Sequence, residues 1–355
     1  MNEDCLKLTT YSGERDRTPD GLLSDELIGI YGTHQLQASV LLRGISGFGR
    51  LHHLHTDRLL TLSGDLPVVS IAVDERRRIE SLLETVLQVK RKGLITLERA
   101  RLLSGEIDVV EIPEELGEAT KLTIYVGRHE RVGRSPAFVA LCELLYRRGI
   151  AGASVMLGVD GTRHGRRLRA QLVGRNADVP MMIVAVGETE RIAAVLQELG
   201  DLLREPLLTL ERVRVCKRDG ELLAEPHELP GTDEHGMALW QKLMVYTSHA
   251  AMHNGRPLHQ EMFDRLRKSD AAGVTAVAGV WGFHGNHSPH GDKFFQLRRH
   301  VPVCTIAIDT PEQTASSFAI IDELTSEQGL VTSEMVPALS TAEQPGRLRL
   351  ARHRF

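Results

Sequence analysis

Three glycine-bearing segments contain the residues whose types and spacing most clearly suggest binding chemistry. Each segment keeps two glycines three positions apart: Gly44 and Gly47, Gly158 and Gly161, Gly279 and Gly282. Glycine tolerates positive φ and lets backbone N–H groups come close to an anion. The segments therefore predict a phosphate or other anion site. A flexible hairpin whose glycines only permit a bend is the alternative, because such a pattern is weak by itself.

Neighbouring side chains extend this candidate site. In the first segment we include Phe48, Gly49 and Arg50, and in the second we include Arg163. A guanidinium group matches the geometry of a phosphate and supplies the positive charge that a phosphate needs. These residues and the six glycines form the core of the predicted ligand-binding set.

Two arginine pairs, on what we predict to be late strands, complete the set. Arg99 and Arg101 alternate, as do Arg212 and Arg214. Residues at i and i+2 of a strand share one face, so each pair could neutralise a bound anion. A charged, exposed sheet face explains the same pattern without a ligand. The third copy of the pattern, described below, lacks the pair, which predicts at least one site that binds anions poorly.

Histidines suggest a second kind of site. The chain has 16 of them, and six lie in two predicted loops: His52, His53 and His55, then His284, His287 and His290. Imidazole suits zinc, copper or nickel, so these loops could hold a metal ion. A solvated polar loop or a loop that responds to pH near 6.5 are the alternatives.

Catalytic motifs are missing from the sequence. It contains no Walker A sequence, no H-E-x-x-H and no G-x-S-x-G, and its loop carboxylates have no recognisable partner. We therefore predict that the protein is not an enzyme.

The composition is that of an ordinary globular protein. The 355 residues carry 43 Lys and Arg against 47 Asp and Glu, a net charge of −4, with 42% apolar residues. This balance does not favour a general nucleic-acid binder. Three of the four cysteines lie inside apolar runs and are predicted to be small buried apolar side chains. The four cysteines form no C-x-x-C motif, and they favour a reducing cytoplasm. No signal peptide and no membrane-spanning apolar run is predicted.

The elements that must position these residues occur three times. Three strings recur in the same order, at residues 7–11, 121–125 and 242–246, at 66–73, 179–186 and 301–308, and at 96–101 and 209–214, with an eroded third copy at 331–334. A period of this length is too long for a solenoid and predicts three tandem copies of one small domain. We expect domains at 1–113, 114–230 and 231–340, followed by a flexible tail at 341–355.

Each copy is predicted to contain the same elements. Short β-rich runs alternate with helical periodicity in the order βαββαβ, the ferredoxin-like split βαβ arrangement. One such helix carries Ile79, Leu82, Leu83 and Val86 on a single face. The predicted fold class is α+β, with three ferredoxin-like domains in tandem.

All three copies also resemble a known family, over most of residues 3–340, and the first copy does so most strongly. Residues 43–50 (RGISGFGR), 53–56 (HLHT) and 66–69 (LPVV) resemble the uncharacterised domain-of-unknown-function family 190, which is similar to the PII-type signalling proteins. PII-like proteins are trimers that bind adenine nucleotides in the clefts between subunits. A mobile loop between their second and third strands reports the ligand to a partner. The resemblance therefore implies a single-chain pseudo-trimer.

The function implied by this resemblance is regulatory. We expect a cytoplasmic, non-enzymatic protein that binds a small anion, with ATP, ADP or AMP as candidates, and that orders its loops 45–65, 159–178 and 280–300. The resemblance implies a membrane transporter or ion channel as the partner. We expect no binding of nucleic acid. The glycine- and lysine-rich loop that PII proteins carry before the last strand is missing, which leaves the choice of nucleotide open.

Two other functions remain open from the sequence. Metal-binding proteins of the CutA type share the trimeric fold, so the loop histidines could define a metal-binding protein instead. A scaffold that has kept the fold and lost its ligand is the third possibility.

Overall fold

A computed structural model describes residues 2–49, 55–56, 65–90, 93–107, 117, 119–169, 179–233, 236, 238–284, 289–291 and 301–340. Arg50, His52, His53, His287 and the predicted tail 341–355 lie outside the described residues. Within them the chain is a strand-rich mixed α/β protein with six helices. The elements recur three times in one order.

The first repeat contains two helices and eight strands. They are β1 (Asn2–Gly13), β2 (Arg17–Thr18), β3 (Gly21–Leu22), α1 (Leu23–Thr33), β4 (Ala38–Arg43), β5 (Ser46–Phe48), β6 (His55–Thr56), β7 (Pro67–Glu75), α2 (Arg76–Val89) and β8 (Leu94–Ser104).

The second repeat follows the same order and ends in an additional short hairpin strand. Its elements are β9 (Ala119–Gly127), β10 (Arg131–Val132), β11 (Ser135–Pro136), α3 (Ala137–Arg147), β12 (Gly152–Leu157), β13 (Asp160–Arg163), β14 (Arg166–Arg169), β15 (Pro180–Glu188), α4 (Thr189–Leu202), β16 (Leu207–Arg218) and β17 (Glu221–Leu222).

The third repeat has the same order of elements as the first. Its elements are β18 (Leu239–Ser248), β19 (Met252–His253), β20 (Arg256–Pro257), α5 (Leu258–Lys268), β21 (Gly273–Ala278), β22 (Trp281–His284), β23 (His290–Gly291), β24 (Pro302–Asp309), α6 (Pro311–Leu324) and β25 (Leu330–Ser340).

Each repeat builds a four-stranded antiparallel sheet with two helices on one face. The strand order is β4–β7–β1–β8 in the first repeat. It is β12–β15–β9–β16 in the second and β21–β24–β18–β25 in the third. The six longest elements of each repeat thus follow the order βαββαβ expected from the sequence.

Helix periodicity determines which helix faces are buried. Ile79, Leu82, Leu83 and Val86 are all buried on α2, as their i, i+3, i+4, i+7 spacing predicts. In α6 the same stripe is less apolar, because Thr314 and Ser317 take part in it. Each helix pair covers its own sheet and makes one apolar core per repeat.

A fourth core is shared by all three repeats. The sheet faces opposite the helices pack together, and they contribute side chains such as Ile71 from the first repeat, Val184 from the second and Ile306 from the third. Because this core takes side chains from every repeat, no repeat can leave it without exposing apolar surface to water.

The sheets are also joined edge to edge in a closed cycle. The short strand after the second long strand of each repeat pairs with the neighbouring repeat: β13 with β4, β22 with β12, and β5 with β21. The last strands close a second cycle, β8 with β16, β16 with β25, and β25 with β8. Each repeat therefore contacts both others through backbone hydrogen bonds.

Two further sequence predictions concern burial and membranes. All four cysteines are free and buried, one more than the three predicted to be buried. Burial raises the pKa of the Cys142 and Cys304 thiols to about 12. Among the described residues, no helix has both the length and the apolarity needed to cross a membrane.

Candidate functional site

A cavity of about 490 Å³ lies between the first and second repeats. The first repeat contributes Gln37, which directly precedes β4, and the residues that end and follow β8. The second contributes the β13–β14 turn and the segment between α4 and β16. The lining residues are Gln37, Ser104, Gly105, Glu106, His164, Gly200, Leu203, Arg204, Glu205 and Pro206. Both size and position suit a small-molecule ligand, since such sites occupy about 300–1,000 Å³ and favour domain interfaces.

The β13–β14 turn is fixed on both sides of this cavity. The backbone N–H of His164 donates to the carbonyl oxygen of Gln37 at 2.7 Å, and Gly165 donates to Leu36 at 3.2 Å. Within the second repeat, His164 Nε2 donates to the Glu205 carbonyl oxygen at 3.2 Å. The turn thus links the start of β4 in one repeat to the loop before β16 in the other.

Charged groups of both signs face the cavity. Glu106 and Glu205 are exposed acids, and Arg204 is an exposed cation with no ion pair to any described residue. Burial, and then the Arg163 guanidinium, lower the pKa of His164, which keeps the imidazole neutral at pH 7. A bound anion would find one uncommitted guanidinium and one imidazole that can take up a proton.

The predicted glycines lie at the seams between repeats. Gly44, Gly158 and Gly279 donate their backbone N–H groups to the carbonyl oxygens of Pro67, Pro180 and Pro302, respectively, within their own repeats. The residue after each one donates to the neighbouring repeat: Ile45 to Ala276, Val159 to Leu41, and Val280 to Val155. These donors are therefore occupied by protein acceptors.

Close backbone approach explains why glycine stands at these positions. A Cβ on Gly161 would lie 2.0 Å from the Ser39 carbonyl oxygen, and one on Gly282 would lie 2.3 Å from that of Ala153. On Gly47 it would lie 2.8 Å from Pro67. Their packing accounts for the glycines without a ligand, and their role in anion binding stays a prediction.

The side chains predicted beside the glycines mostly have protein partners. Phe48 is buried and packs edge to face on Phe263, with ring centroids 4.9 Å apart. Arg163 forms an ion pair with Glu130 at 2.8 Å and donates to the Glu205 carbonyl at 3.2 Å. Gly49 is exposed, and a Cβ there would meet nothing within 4 Å.

The arginine pairs lie on the outer faces of β8 and β16. Arg99 and Arg101 are half-buried, and Arg212 is exposed. Arg214 contacts His227 Nδ1 at 2.7 Å, and burial followed by Arg214 lowers the pKa of that histidine. Of the predicted ligand residues that the structure describes, none lines the cavity, although Arg163 is adjacent to His164 in the chain.

The predicted metal site is only partly covered by the structure. His55 lies in β6, and His284 and His290 lie in the paired strands β22 and β23. Within the described part of the chain, only Glu98, Glu211 and Glu334 bring three metal-binding atoms together, and no histidine belongs to that group. Metal binding by the loop histidines stays a prediction.

Those three glutamates belong to a buried ring of alternating charge. Each carboxylate lies between lysines from different repeats, at 2.6–2.9 Å. In order around the ring the residues are Lys7, Glu211, Lys121, Glu334, Lys242 and Glu98. The lysines stand at one position of β1, β9 and β18, and the glutamates at one position of β8, β16 and β25.

The opposite charges within the ring keep its carboxylates ionised and its lysines protonated. Burial alone would raise the pKa of Glu98, but the Lys242 and Lys7 ammonium groups outweigh it and hold that pKa well below its ordinary value. Burial would lower the pKa of Lys121, but Glu211 and Glu334 raise it. Three positive and three negative charges cancel, so the lysines already neutralise the carboxylates that a metal cation would need. We interpret the ring as an inter-repeat lock.

In the sequence these lysines and glutamates stand out only as markers of the repeat. The signal that could have identified the ring is a lysine that recurs in an otherwise apolar strand, together with a glutamate that recurs in the partner strand. The cavity residues Arg204 and Glu106 carried no comparable signal, because they lie in short connecting segments.

The fold and site define a class: a protein of three tandem α/β repeats joined in a cycle, with a cavity between two of them. The family DUF190 (Uncharacterized ACR) matches residues 5–102, 119–215 and 240–338, which together are most of the chain. The chain belongs to this family, and the prediction of three tandem copies is confirmed.

Two curated relatives are UPF0166 proteins of Aquifex aeolicus (strain VF5). The first is 31% identical over 67 residues, 19% of this chain and 70% of that protein. The second is 34% identical over 68 residues, 19% of this chain and 64% of that protein. The chain thus spans about two thirds of each relative, and each relative is about as long as one repeat.

Proposed function

We propose that the protein is a PII-like regulator that binds a small anionic effector in the cavity between its first and second repeats. An adenine nucleotide is the first candidate. The observation that supports this most is the cavity itself. It is bounded by the loop before the last strand of one repeat and by the end of the last strand of its neighbour, and it carries Arg204 and His164.

The proposal includes a pseudo-trimeric architecture. Three ferredoxin-like domains are arranged around a pseudo-threefold axis, with the sheets facing inward. The two cycles of strand pairing, the shared inner core and the ring of lysines and glutamates support this arrangement. The one-repeat length of the relatives is consistent with fusion of a single domain. Fusion lets each cleft acquire its own residues, which identical subunits cannot do.

The effector would act through the β13–β14 hairpin. A ligand that pairs with His164 competes with the Glu205 carbonyl for the same imidazole nitrogen. Losing that contact removes one of the supports of the turn within the second repeat and leaves those made by Arg163. The hairpin would then present a different surface to a partner, for which a membrane transporter or ion channel is the first candidate. This works only if the effector binds one hairpin position better than the other.

Isothermal titration calorimetry tests the binding step. The full-length, metal-free protein is titrated with ATP, ADP, AMP and cyclic AMP, and with zinc in parallel. We expect one nucleotide to bind with a micromolar dissociation constant, which corresponds to about −8 kcal/mol. Tight zinc uptake without nucleotide binding would favour the histidine loops instead.

Two matched variants test whether the nucleotide binds in this cavity. Arg204→Ala should weaken nucleotide binding by about ten- to a hundredfold, since a charge-assisted hydrogen bond contributes about 1.5–3 kcal/mol. Arg267→Ala removes an exposed arginine on α5 of the third repeat, which does not line the cavity, and it should leave affinity unchanged. Equal loss of affinity in both variants would show that binding depends on general charge and not on this cavity.

A further inference from the structure

The seam between the second and third repeats is built differently from the seam that holds the cavity. Leu203 follows α4 as its C-cap, and Thr325 follows α6 in the same way. Gly200 and residues 203–206 line the cavity, so Asp322 and residues 325–329 mark the matching place in the third repeat. There the matching place is filled by the chain that continues from β16.

A lysine provides the first contact of this filling segment. Lys217 Nζ donates to the Asp322 carbonyl oxygen at 2.6 Å and forms an ion pair with the Asp322 carboxylate. The Lys217 side chain is only 4% exposed. Since Asp322 lies in the last turn of α6, the ammonium group also compensates carbonyl groups at the negative end of that helix.

The turn after Lys217 provides the remaining contacts. The backbone N–H of Asp219 donates to the Gly329 carbonyl oxygen at 2.8 Å. Gly220 has a φ of +88°, and a Cβ there would lie 2.3 Å from the Ser326 carbonyl oxygen. Only glycine allows so close an approach, so the turn is shaped to sit on the loop before β25.

Among the described residues that follow β8, 105–107, the first seam has no such turn. After β8 the chain continues through Gly105 and Glu106 to Ile107, which packs against Gly200. A Cβ on Gly200 would lie 2.9 Å from the Ile107 Cβ. As far as Ile107 the chain therefore runs along the end of α4, and the described residues leave the cavity open.

We infer that residues 217–220 plug the second seam, so that this chain keeps the cleft between repeats one and two for its effector and closes the next one. The statement about the effector rests on the proposed function. The statement about the plug concerns only accessibility, and it can be tested without any ligand.

Thiol labelling provides the test without a ligand. Thr325 is fully buried and precedes Ser326, whose carbonyl oxygen lies against Gly220 of the plug. All four native cysteines are buried, so Thr325→Cys adds one reporter thiol. In the otherwise unchanged full-length chain it should react slowly with a maleimide. Adding Lys217→Ser and Gly220→Ala should speed the reaction by at least about tenfold, through local opening of the seam. An unchanged rate would overturn the plug.

Two controls separate local opening from unfolding. Lys217→Met keeps most of the side-chain volume and the turn, so Thr325→Cys should stay protected in that background. Labelling of native Cys142, which is buried in the second repeat, reports global unfolding. If Cys142 becomes reactive in the double variant, Lys217→Ser alone takes its place, and protection of Thr325→Cys in that variant would overturn the inference.

Calorimetry then tests the effector statement. The double variant should bind one more equivalent of the nucleotide than the unaltered protein does. If the unaltered protein binds no nucleotide, the proposed function fails and the labelling rates still decide whether the plug exists. If it binds nucleotide but the opened variant gains no site, the second seam is not a closed copy of the first.

Discussion

At the residue scale, the ring of lysines and glutamates contains the largest concentration of buried charge in the described part of the chain. Each member neutralises neighbours from another repeat, and all six side chains are at most 8% exposed. Replacing such a network by apolar residues can be neutral, whereas removing one partner leaves a buried charge uncompensated. The ring therefore favours one arrangement of the repeats over others.

Lys121→Met should destabilise the protein by about 3–5 kcal/mol, the usual cost of breaking a buried ion pair. Lys121 lies within 4 Å of all three ring carboxylates, so its loss leaves three carboxylates with two lysines and one buried negative charge uncompensated. Urea denaturation of the full chain measures the effect. Lys268→Met, at an exposed position on α5, is the matched control and should change stability by less than about 0.5 kcal/mol. Equal midpoints would mean that the ring contributes little.

A buried histidine predicts loss of stability in mild acid. His259 is 4% exposed and stacks near His249, and burial followed by His249 lowers its pKa from 6.5 to about 4. Between pH 6.5 and pH 4 the unfolded chain holds a proton that the folded chain does not, so stability falls as the pH falls. The loss should reach about 2 kcal/mol at pH 5.

His259→Phe tests this prediction because it keeps a ring and removes the titrating group. Its unfolding free energy, measured in urea at pH 7 and pH 5, should fall less between those two values than that of the unaltered protein. The same decrease in both proteins would assign the acid sensitivity to other groups.

At the scale of elements, the short strands β5, β13 and β22 join the repeats. Each pairs with the second long strand of its neighbour, and each needs glycine where the two backbones meet. Aromatic contacts support two of the three junctions, Phe48 on Phe263 and Phe283 on Tyr146. At the third, Thr162 and Ser39 share a hydrogen bond of 2.9 Å. The junction next to the cavity is thus the polar one.

Gly161→Ala should destabilise the protein by about 1–3 kcal/mol, since the new methyl group would displace the Ser39 backbone. Gly49→Ala is the control, because it lies in the corresponding segment and a Cβ there meets nothing. Thermal unfolding and nucleotide titration of both variants separate the two roles of these glycines. If Gly161→Ala lost affinity while keeping its melting temperature, the glycines would serve the ligand rather than the fold.

At the scale of the whole molecule, the shared inner core and the two cycles of strand pairing make the repeats interdependent. One repeat cannot unfold without exposing the inner faces of the other two and breaking the ring. Trp240 lies in the shared core, and Trp281 lies at the seam between the second and third repeats, where it packs on Phe138. The fluorescence of Trp240 therefore reports on unfolding of the shared core, and that of Trp281 reports on unfolding of the seam between the second and third repeats.

We expect a single cooperative unfolding transition. In Trp240→Phe and Trp281→Phe variants the remaining tryptophan fluorescence should change at the same urea concentration as the circular dichroism. The midpoint should not shift over about a hundredfold range of protein concentration, because the repeats are joined covalently and need no association step. Separate transitions for the two tryptophans would show that the repeats unfold independently.

The sequence alone determined the threefold repetition, the order of elements and the buried faces of the helices. These depend on spacing within one segment: Leu82 and Leu83 share a face because a helix has 3.6 residues per turn. The tertiary structure decided which residues meet across repeats. Lys7 reaches Glu211 and Lys217 reaches Asp322 over more than a hundred residues of chain. No local pattern encodes such pairs, because their geometry depends on how three sheets pack, and that packing determined where the cavity opens.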